Sequence, residues 1–284
     1  MNGINAKPSF IGIGAQKCAS SWLHRVLQEH PEVAVSEEKE LDFFSFRFDR
    51  GYQWYEQHFE SAGQQEIRGE ISPSYFYEES VPRRVAEYCP DMKIIVSFRD
   101  PIERALSNHR HEVRLGHISV ENNNFEAGLK NNPMYIEQGL YATHLKRWLE
   151  HFPQQQIFVV LMEDIESDPQ AVVKRLYSFV GVDESFRPES ISARYNVSFA
   201  NRSQSLRKMK DLAYGVSKTP GLRWTWSMGK ALGLRSMYRK VNRVSSSEVI
   251  PAPGLASLDA MRVRFEPEVR ELSQMIDRSL DTWL

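Results

Sequence analysis

Residues 10–23 read FIGIGAQKCASSWL, and this stretch decides the fold that we predict for the chain. Its first half is an apolar run of strand length that ends in small residues. Ser20 and Ser21 are candidate N-caps of the helix that follows, because apolar residues recur there at helical spacing. Those apolar residues are Leu23, Val26 and Leu27. A strand, a loop and a helix in this order indicate the first unit of a parallel α/β sheet.

The same order recurs twice further along the chain. A second apolar run, Lys93–Phe98, precedes a predicted helix from residue 102 to about residue 115, and a third, Ile157–Met162, precedes another amphipathic stretch. The repetition predicts an α/β fold of three layers, with a central parallel sheet flanked by helices. Ligands of such sheets bind beyond the carboxyl ends of the strands, where Lys17 and Arg99 would both lie.

Composition excludes several classes of protein. The chain has 284 residues, 36 Lys and Arg against 37 Asp and Glu, and 41% hydrophobic residues, which is typical of a globular protein and not of a disordered one. A net charge of -1 argues against nucleic-acid binding through bulk charge. Cys18 and Cys89 are far apart and lack metal-ligand spacing, so we expect no zinc module, no disulfide scaffold and no metal.

Localisation follows from what the sequence lacks. The first residues contain no apolar signal segment, and no apolar run is long enough to span a bilayer. Two cysteines without disulfide spacing suit a reducing compartment. We therefore expect a cytoplasmic protein, with peripheral contact at the inner membrane surface as a further possibility.

We predict a single domain over residues 1–284, with a distinct basic segment at 202–243. Eleven Lys and Arg accompany one acid, Asp211, in this segment, and aromatic residues lie among them. One interpretation is a solvated pair of basic helices; another is an element that faces the acceptor or an anionic membrane. A turn-rich connector at 244–254 and a C-terminal helix at 255–284 complete the chain.

The loop after the first strand has the residues of an anion site. Backbone N–H groups and a helix N-terminus can point at an anion there, with Lys17 and two serine hydroxyls alongside. An ordinary strand-to-helix turn with an exposed lysine is the alternative. The loop is not a Walker A motif, because Gly-Lys-[Ser/Thr] is missing.

A second anion site is predicted after the second strand. Arg99 ends that strand, and Ser107 lies about two helical turns beyond Pro101. The alternative is an ordinary ion pair of Arg99 and a serine that faces solvent. Two anion sites beside one sheet suggest a ligand with phosphates at both ends.

These elements resemble the two nucleotide-binding motifs of the sulfotransferases that use 3′-phosphoadenosine 5′-phosphosulfate (PAPS). Residues 16–23, QKCASSWL, are similar to the 5′-phosphosulfate loop K-x-G-T-T-x-L, although Ala19 replaces the glycine and serines replace the threonines. Residues 99–107 match the 3′-phosphate motif R-D-P-x-x-R-A-x-S at every fixed position. The resemblance covers roughly residues 8–200 and the final helix, and it implies the P-loop NTPase-like sulfotransferase fold.

Two further segments resemble the carbohydrate, heparan sulfate-type branch of that family. Residues 39–44, KELDFF, are similar to K-E-x-H-F-F, and residues 70–76, EISPSYF, to E-K-T/S-P-S-Y-F. Asp42 replaces a histidine and Ile71 a lysine, which bears on the acceptor and not on the donor. Three later features are similar to bacterial members: Gly139-Leu140-Tyr141, Trp148 and Glu163-Asp164-Ile165.

The resemblance implies in-line transfer of a sulfuryl group from PAPS to an acceptor hydroxyl, with PAP as product and no metal. Lys17 would stabilise the bridging oxygen as PAP leaves. Arg99 and Ser107 would hold the 3′-phosphate, and Arg202 could complete the nucleotide site as a lid. The 5′-phosphate would be held by the loop and the start of the helix: Cys18, Ala19, Ser20, Ser21 and Trp22.

Glu40 is the residue that we predict as the general base. An apolar wall from Phe43 and Phe44 could raise the pKa of its carboxylate; alternatively, Glu40 is a solvated member of the charged run 37–40. Rival bases are Asp42, Glu70, His109 and His111, of which we expect the two histidines to face solvent. The candidate substrate contacts are Lys39, Asp42, Glu70, Ser74 and Tyr75.

The acceptor is left open among a sugar, a glycolipid and a small natural product. Two other functions are alternatives. One is a P-loop nucleotide kinase or NTPase, which the absence of the sequence Gly-Lys-[Ser/Thr] opposes. The other is a non-catalytic protein that binds anionic lipid or another polyanion through residues 202–243.

Overall fold

The computed structural model describes residues 7–60, 67–118, 123–192, 199–201, 243–245 and 250–284. The chain divides into two compact units, which are described separately. The first comprises Met1–Ala105, Ile136–Tyr195 and Asp259–Leu284, and the second comprises Leu106–Tyr135 and Asn196–Leu258. The single domain over residues 1–284 stays a prediction.

A parallel five-stranded sheet forms the centre of the first unit, in the order β2-β3-β1-β4-β5. Its strands are β1 (Phe10–Gly14), β2 (Val33–Val35), β3 (Ile67–Ile71), β4 (Lys93–Phe98) and β5 (Ile157–Leu161). The sheet confirms the three predicted strands within one residue. The sequence did not indicate β2, which has three residues, or β3, which contains Arg68 and Glu70 in place of an apolar run.

The α-helices of the described residues follow in chain order. They are α1 (Ser20–Glu29), α2 (Phe43–Phe46), α3 (Gly51–Glu56), α4 (Val81–Tyr88), α5 (Pro101–Leu115), α6 (Phe125–Asn131), α7 (Met134–Glu137), α8 (Tyr141–Leu149), α9 (Met162–Ser167), α10 (Pro169–Val180) and α11 (Leu255–Met275). Short 3₁₀ turns cover Phe48–Arg50, Gln57–Phe59, Pro73–Tyr75, Gln154–Gln156, Glu189–Ser192 and Asp281–Trp283. None of these helices is both long and apolar enough to cross a bilayer.

Helices cover both faces of the sheet. The apolar sides of α1 and α10 pack on the face that carries Ile95 of β4. Phe98 of the same strand points to the opposite face, since side chains alternate along a strand. There its ring contacts that of Tyr141 on α8, with centroids 4.8 Å apart. The predicted three-layer α/β architecture is therefore confirmed for the first unit.

The second unit contains α6 and a small antiparallel ladder of β6 (Phe199–Asn201) and β7 (Arg243–Ser245). The ladder pairs Asn201 with Arg243, so the residue before the basic segment and the last residue of that segment are neighbours. Residues 202–242 of that segment, Arg202 included, lie outside the described residues. The connector at 244–254 overlaps β7 and ends at Gly254, whose N–H donates to Glu126 Oε1 at 2.7 Å.

His109 is buried in the second unit, so the prediction that it faces solvent is wrong. Its Nε2 donates to the Asn123 carbonyl at 2.7 Å, and its Nδ1 lies 2.9 Å from the Tyr135 hydroxyl. Burial lowers the pKa of His109. The prediction rested on the Arg and His residues around His109. Those residue types do not indicate that this side of the amphipathic helix packs against apolar neighbours.

The C-terminal helix ends earlier than predicted, at Met275 and not at residue 284. Asp277 adopts the left-handed region, with φ of 50°, which cannot continue an α-helix. Beyond it, Arg278 binds Asp164 through two hydrogen bonds of 2.8 and 3.2 Å, and the Trp283 indole donates to Glu163 Oε1 at 2.6 Å. These contacts with α9 hold the last residues against the first unit.

Replacement of Asp168 by alanine is expected to lower the free energy of unfolding by about 1 kcal/mol. Asp168 is the exposed N-cap of α10, where its Oδ1 accepts the Ala171 N–H at 3.0 Å and Pro169 follows. Denaturant titration of Asp168→Ala measures the loss. Asp168→Asn keeps a capping oxygen and serves as the control; equal destabilisation by both substitutions would contradict the capping role.

Candidate active site

The loop between β1 and α1 turns sharply at the carboxyl end of the sheet. Gly14 has a φ of 125°, and a Cβ there would lie 2.8 Å from the Pro73 carbonyl oxygen, so only glycine fits. Lys17 and Ala19 adopt left-handed conformations, with φ of 70° and 68°. This region costs a non-glycine residue about 1 kcal/mol, which is a physical reason for the glycine that the similar motif K-x-G-T-T-x-L has where Ala19 stands.

The predicted caps of α1 are wrong. Ala19 occupies the N-cap position, and neither serine caps the helix with its side chain. The left-handed Ala19 places Ser20 and Ser21 inside the first turn, so their hydroxyls are not committed to the backbone as caps. Both side chains are partly exposed. Their amides precede the first intrahelical hydrogen bonds, where the helix can receive an anion.

Cys18 and Trp22 differ from the two serines of the predicted phosphate loop because their side chains are buried. The backbone N–H of Trp22 donates to the Ala19 carbonyl at 2.9 Å, and the indole N–H of Trp22 donates to the Ile191 carbonyl at 3.2 Å. Burial raises the pKa of the Cys18 thiol to about 11, and its sulfur lies 3.6 Å from the Tyr141 hydroxyl. These two side chains therefore support the loop from inside.

Ser97 of β4 holds the loop from the neighbouring strand, a role that sequence reasoning missed. Its carbonyl accepts the Ala15 N–H at 2.8 Å. Its buried hydroxyl contacts the carbonyl oxygens of Gly14 and Cys18. The signal was a single hydroxyl inside an otherwise apolar strand, since a buried polar group needs hydrogen-bond partners.

The Lys39 ammonium joins this loop to the predicted base. Its Nζ lies 2.9 Å from Ser21 Oγ and 2.9 Å from Glu40 Oε1. The Glu40 side chain is about half exposed, whereas Phe43 and Phe44 are fully buried. The immediate partner of the Glu40 carboxylate is thus a cation that also touches α1.

Asp42 follows two residues later and binds the segment 72–75. Its Oδ1 accepts the Ser74 hydroxyl at 2.5 Å, and Ser74 Oγ lies 2.8 Å from Ser45 Oγ. Burial raises the pKa of Asp42, and the hydrogen bond from Ser74 opposes that rise. The structure brings together Asp42 and Ser74 of the predicted substrate contacts.

Glu70 and Tyr75, also predicted as substrate contacts, are fully buried, which leaves neither side chain a surface that a substrate could touch. Glu70 accepts the hydroxyls of Ser72, Tyr75 and Tyr55 at 2.6, 2.5 and 3.2 Å. Burial raises the pKa of Glu70 to about 7, and these hydrogen bonds limit the rise. Sequence reasoning missed Ser72 and Tyr55 as its partners.

Arg99 lies just beyond β4, as predicted. Its Nη2 donates to Glu103 Oε2 at 3.1 Å. Asp100 caps α5 by accepting the N–H groups of Ile102 and Glu103 at 2.7 and 3.3 Å. Ser107 lies in the second turn of α5 and belongs to the second unit, and Arg202 lies outside the described residues.

Two human sulfotransferases are similar in sequence to this chain. Human heparan sulfate glucosamine 3-O-sulfotransferase 3B1 is 34% identical over 188 residues, which cover 64% of this chain and 48% of that protein. Human bifunctional heparan sulfate N-deacetylase/N-sulfotransferase 2 is 30% identical over 194 residues, which cover 62% of this chain and 22% of that protein. The chain thus spans about half the length of the first relative and less of the second.

A solved structure and a domain family extend the comparison. The crystal structure of a sulfotransferase from Alicyclobacillus acidocaldarius aligns with a TM-score of 0.67 and 24% identity over 98% of both chains, which shows a shared fold. Residues 7–225 match the sulfotransferase domain family, and this range contains the β1–α1 loop, Glu40 and Arg99. The chain therefore belongs to the sulfotransferase domain family.

Proposed function

We propose that the protein transfers a sulfuryl group from PAPS to an acceptor hydroxyl. The observation that carries this proposal is the Lys39 ammonium, 2.9 Å from both Ser21 Oγ and Glu40 Oε1. Ser21 lies at the N-terminus of α1, where an anionic donor group would bind. The Lys39 ammonium therefore contacts both the donor end of the site and Glu40, the carboxylate that would receive the proton of the acceptor hydroxyl.

The residues at the end of β1 fit the phosphosulfate end of PAPS. Three kinds of group can bind an anion there: the first amides of α1, the hydroxyls of Ser20 and Ser21, and the ammonium groups of Lys17 and Lys39. When bound, PAPS supplies the sulfuryl group and a leaving group, PAP, whose charge needs stabilisation. Lys17 would provide that stabilisation at the bridging oxygen.

Arg99 is suited to the 3′-phosphate end. Its present partner, Glu103, is about half exposed, and such a surface ion pair is worth about 1 kcal/mol or less. A doubly charged phosphate can replace that partner and accept the guanidinium through two hydrogen bonds. Ser107 belongs to this end of the proposal through the resemblance of residues 99–107 to the 3′-phosphate motif, and Arg202 is proposed as a lid that completes the nucleotide site.

Glu40 would act as the general base. Its carboxylate would accept the proton of the acceptor hydroxyl while the acceptor oxygen bonds to sulfur and the bond from sulfur to the leaving oxygen breaks. The Lys39 ammonium balances the negative charge of Glu40 before the proton arrives. No Mg²⁺ is part of this proposal, because Lys17, Lys39 and Arg99 supply the positive charge.

We further propose a carbohydrate hydroxyl as the acceptor, since the relatives of this chain are named for heparan sulfate. Asp42 stands where those enzymes carry histidine, so the acceptor itself can differ from theirs. The unpaired thiols of Cys18 and Cys89 support a reducing, cytoplasmic location. Contact between residues 202–243 and an anionic membrane stays a prediction.

Transfer to a heparan-type polysaccharide is the direct test of the proposed function. We expect purified protein to bind PAP in a calorimetric titration and, with PAPS, to add the mass of one SO₃ unit to disaccharides released from heparan sulfate. Mass spectrometry with and without protein measures the gain. Failure to bind PAP would contradict the donor assignment, and binding without a gain would contradict the heparan-type acceptor.

Lys17→Ala is expected to lower kcat by about 10²- to 10³-fold, because a preorganised charge at the leaving oxygen is lost. PAP affinity should fall much less, since the amides and hydroxyls of α1 remain. Steady-state transfer and calorimetry on the same preparation measure both effects. Lys174→Ala, which removes an exposed lysine of α10 paired with Glu184, is the control. A similar kcat in both variants would rule out the role of Lys17.

Glu40→Gln is expected to lower kcat by about 10²- to 10⁴-fold, as removal of a general base does. Its matched control is Glu37→Gln, an exposed glutamate three residues earlier that should leave kcat within twofold, about 0.4 kcal/mol. Both variants keep the size of the side chain. Near-normal turnover of Glu40→Gln with a verified acceptor would assign the base elsewhere.

A further inference from the structure

Two hydrogen-bond chains connect the buried Glu70 carboxylate to the backbone that follows Glu40. In the first, the Asp42 N–H donates to Ser72 Oγ at 2.9 Å, and Ser72 donates to Glu70 Oε2 at 2.6 Å. In the second, the Phe43 N–H donates to the Tyr75 hydroxyl at 2.9 Å, and Tyr75 donates to Glu70 Oε1 at 2.5 Å. Each carboxylate oxygen thus ends one chain.

The direction of both chains requires an acceptor at the Glu70 end. A backbone N–H can only donate, so the Ser72 and Tyr75 oxygens accept from it and use their single hydrogens on Glu70. An ionised carboxylate accepts both hydrogens. A protonated carboxyl or an amide keeps one acceptor oxygen, but at its other position it presents a donor to a hydroxyl whose hydrogen already points at it. Glu70 therefore completes both chains together only in its ionised form.

The loop that the chains hold has an uncommon backbone. Glu40 and Asp42 have φ values of 62° and 51°, in the left-handed region that side chains other than glycine rarely adopt. Such conformations persist where the surrounding structure holds them. The anchored N–H groups of Asp42 and Phe43 come two and three residues after Glu40, so they limit where that residue can lie.

We infer that Glu70 is a positioning residue, which fixes the loop of Glu40 through Ser72 and Tyr75 and does not itself touch substrate. The inference rests on the proposed function, because it assigns the base role to Glu40. Full burial of Glu70 and its three hydroxyl partners keep it away from any acceptor. It also replaces the two earlier interpretations of Glu70, as substrate contact and as rival base.

The arrangement predicts a pH dependence. Burial raises the pKa of Glu70 to about 7, the hydrogen bonds from Ser72, Tyr75 and Tyr55 lower it, and the charge of Asp42 raises it. The titratable groups that face Glu70 are the two tyrosines and Asp42, and burial keeps the pKa of both tyrosines well above 10. As the pH falls through about 7, protonation of Glu70 should loosen the loop and lower kcat.

Four substitutions separate positioning from simple packing. Ser72→Ala and Tyr75→Phe each break one chain. Tyr55→Phe is the matched control, since the Tyr55 hydroxyl donates to the same carboxylate but is not on either chain, and its ring keeps its stack with Phe43 at 4.5 Å. Ser72→Thr keeps the hydroxyl and should behave as the wild type.

Hydrogen exchange, PAP binding and transfer to heparan sulfate are measured on each full-length variant. Loss of a hydrogen bond to a charged group should speed exchange of the Asp42 and Phe43 amides by about tenfold or more in Ser72→Ala and Tyr75→Phe. We expect kcat to fall by a similar factor with an unchanged Kd for PAP. Loss of the Tyr55 hydrogen bond raises the pKa of Glu70 further, so the comparison is made at a pH well above 7, where Glu70 is ionised. There Tyr55→Phe should stay within about twofold of the wild type in both readouts.

A fifth variant, Glu70→Gln, tests the direction of the chains. It should lose the decrease of kcat below pH about 7, because glutamine does not titrate, and its kcat should be low throughout. The inference is overturned if the Asp42 and Phe43 amides exchange at the wild-type rate in Ser72→Ala and Tyr75→Phe, or if Tyr55→Phe causes the same changes. Hydrogen exchange can be measured without an acceptor substrate. If exchange becomes faster in Ser72→Ala and Tyr75→Phe while the wild-type protein transfers no sulfuryl group, the proposed function is contradicted and the positioning role of Glu70 is not.

Discussion

The parallel pairing of β1 with β3 on one side and β4 on the other is the constraint on which the site depends. Because the three strands run in one direction, the residues that follow them meet at one edge of the sheet. Hydrogen bonds extend this pairing into the loops, where the Ser72 and Phe76 N–H groups donate to the Gly12 and Ile13 carbonyls at 2.9 and 3.0 Å. The β1–α1 loop and the segment after β3 are thus held in register with each other.

Charge at this edge is arranged in two environments. Lys39 and Glu40 form an ion pair near solvent, where exchange of partners costs little. Glu70 is buried, where its ionisation is expensive and three hydroxyls offset the cost only in part. Since its folded pKa is raised above the ordinary value of 4.5, Glu70 contributes stability that is fully present below pH 4.5 and is lost as the pH rises through about 7. The folded protein is therefore less stable with Glu70 in the ionised form, which orders the loop, than with Glu70 protonated.

Prediction from sequence succeeded where a pattern is local. The apolar runs at Lys93–Phe98 and Ile157–Met162 correspond to β4 and, but for Met162, to β5, and Pro101 begins α5 with Asp100 as its cap. Prediction from sequence failed where contacts between residues that are distant along the chain determine the structure. β3 contains Arg68 and Glu70, residue types that are usually exposed, yet both are buried in a strand that lies between β1 and β2. Likewise, the left-handed Ala19 removed the capping role of the serines.

The order of residues alone determined the succession of strands and helices, the basic residues at strand ends and the family, because each depends on neighbours along the chain. Tertiary structure decided which of those residues meet. Lys39 meets Ser21 across 18 residues of sequence, and the Asp42 and Phe43 amides meet the Ser72 and Tyr75 hydroxyls across 30 and 32 residues. No spacing rule covers such separations. Burial, which gives a carboxylate a pKa of about 7, exists only once β3 lies inside the sheet.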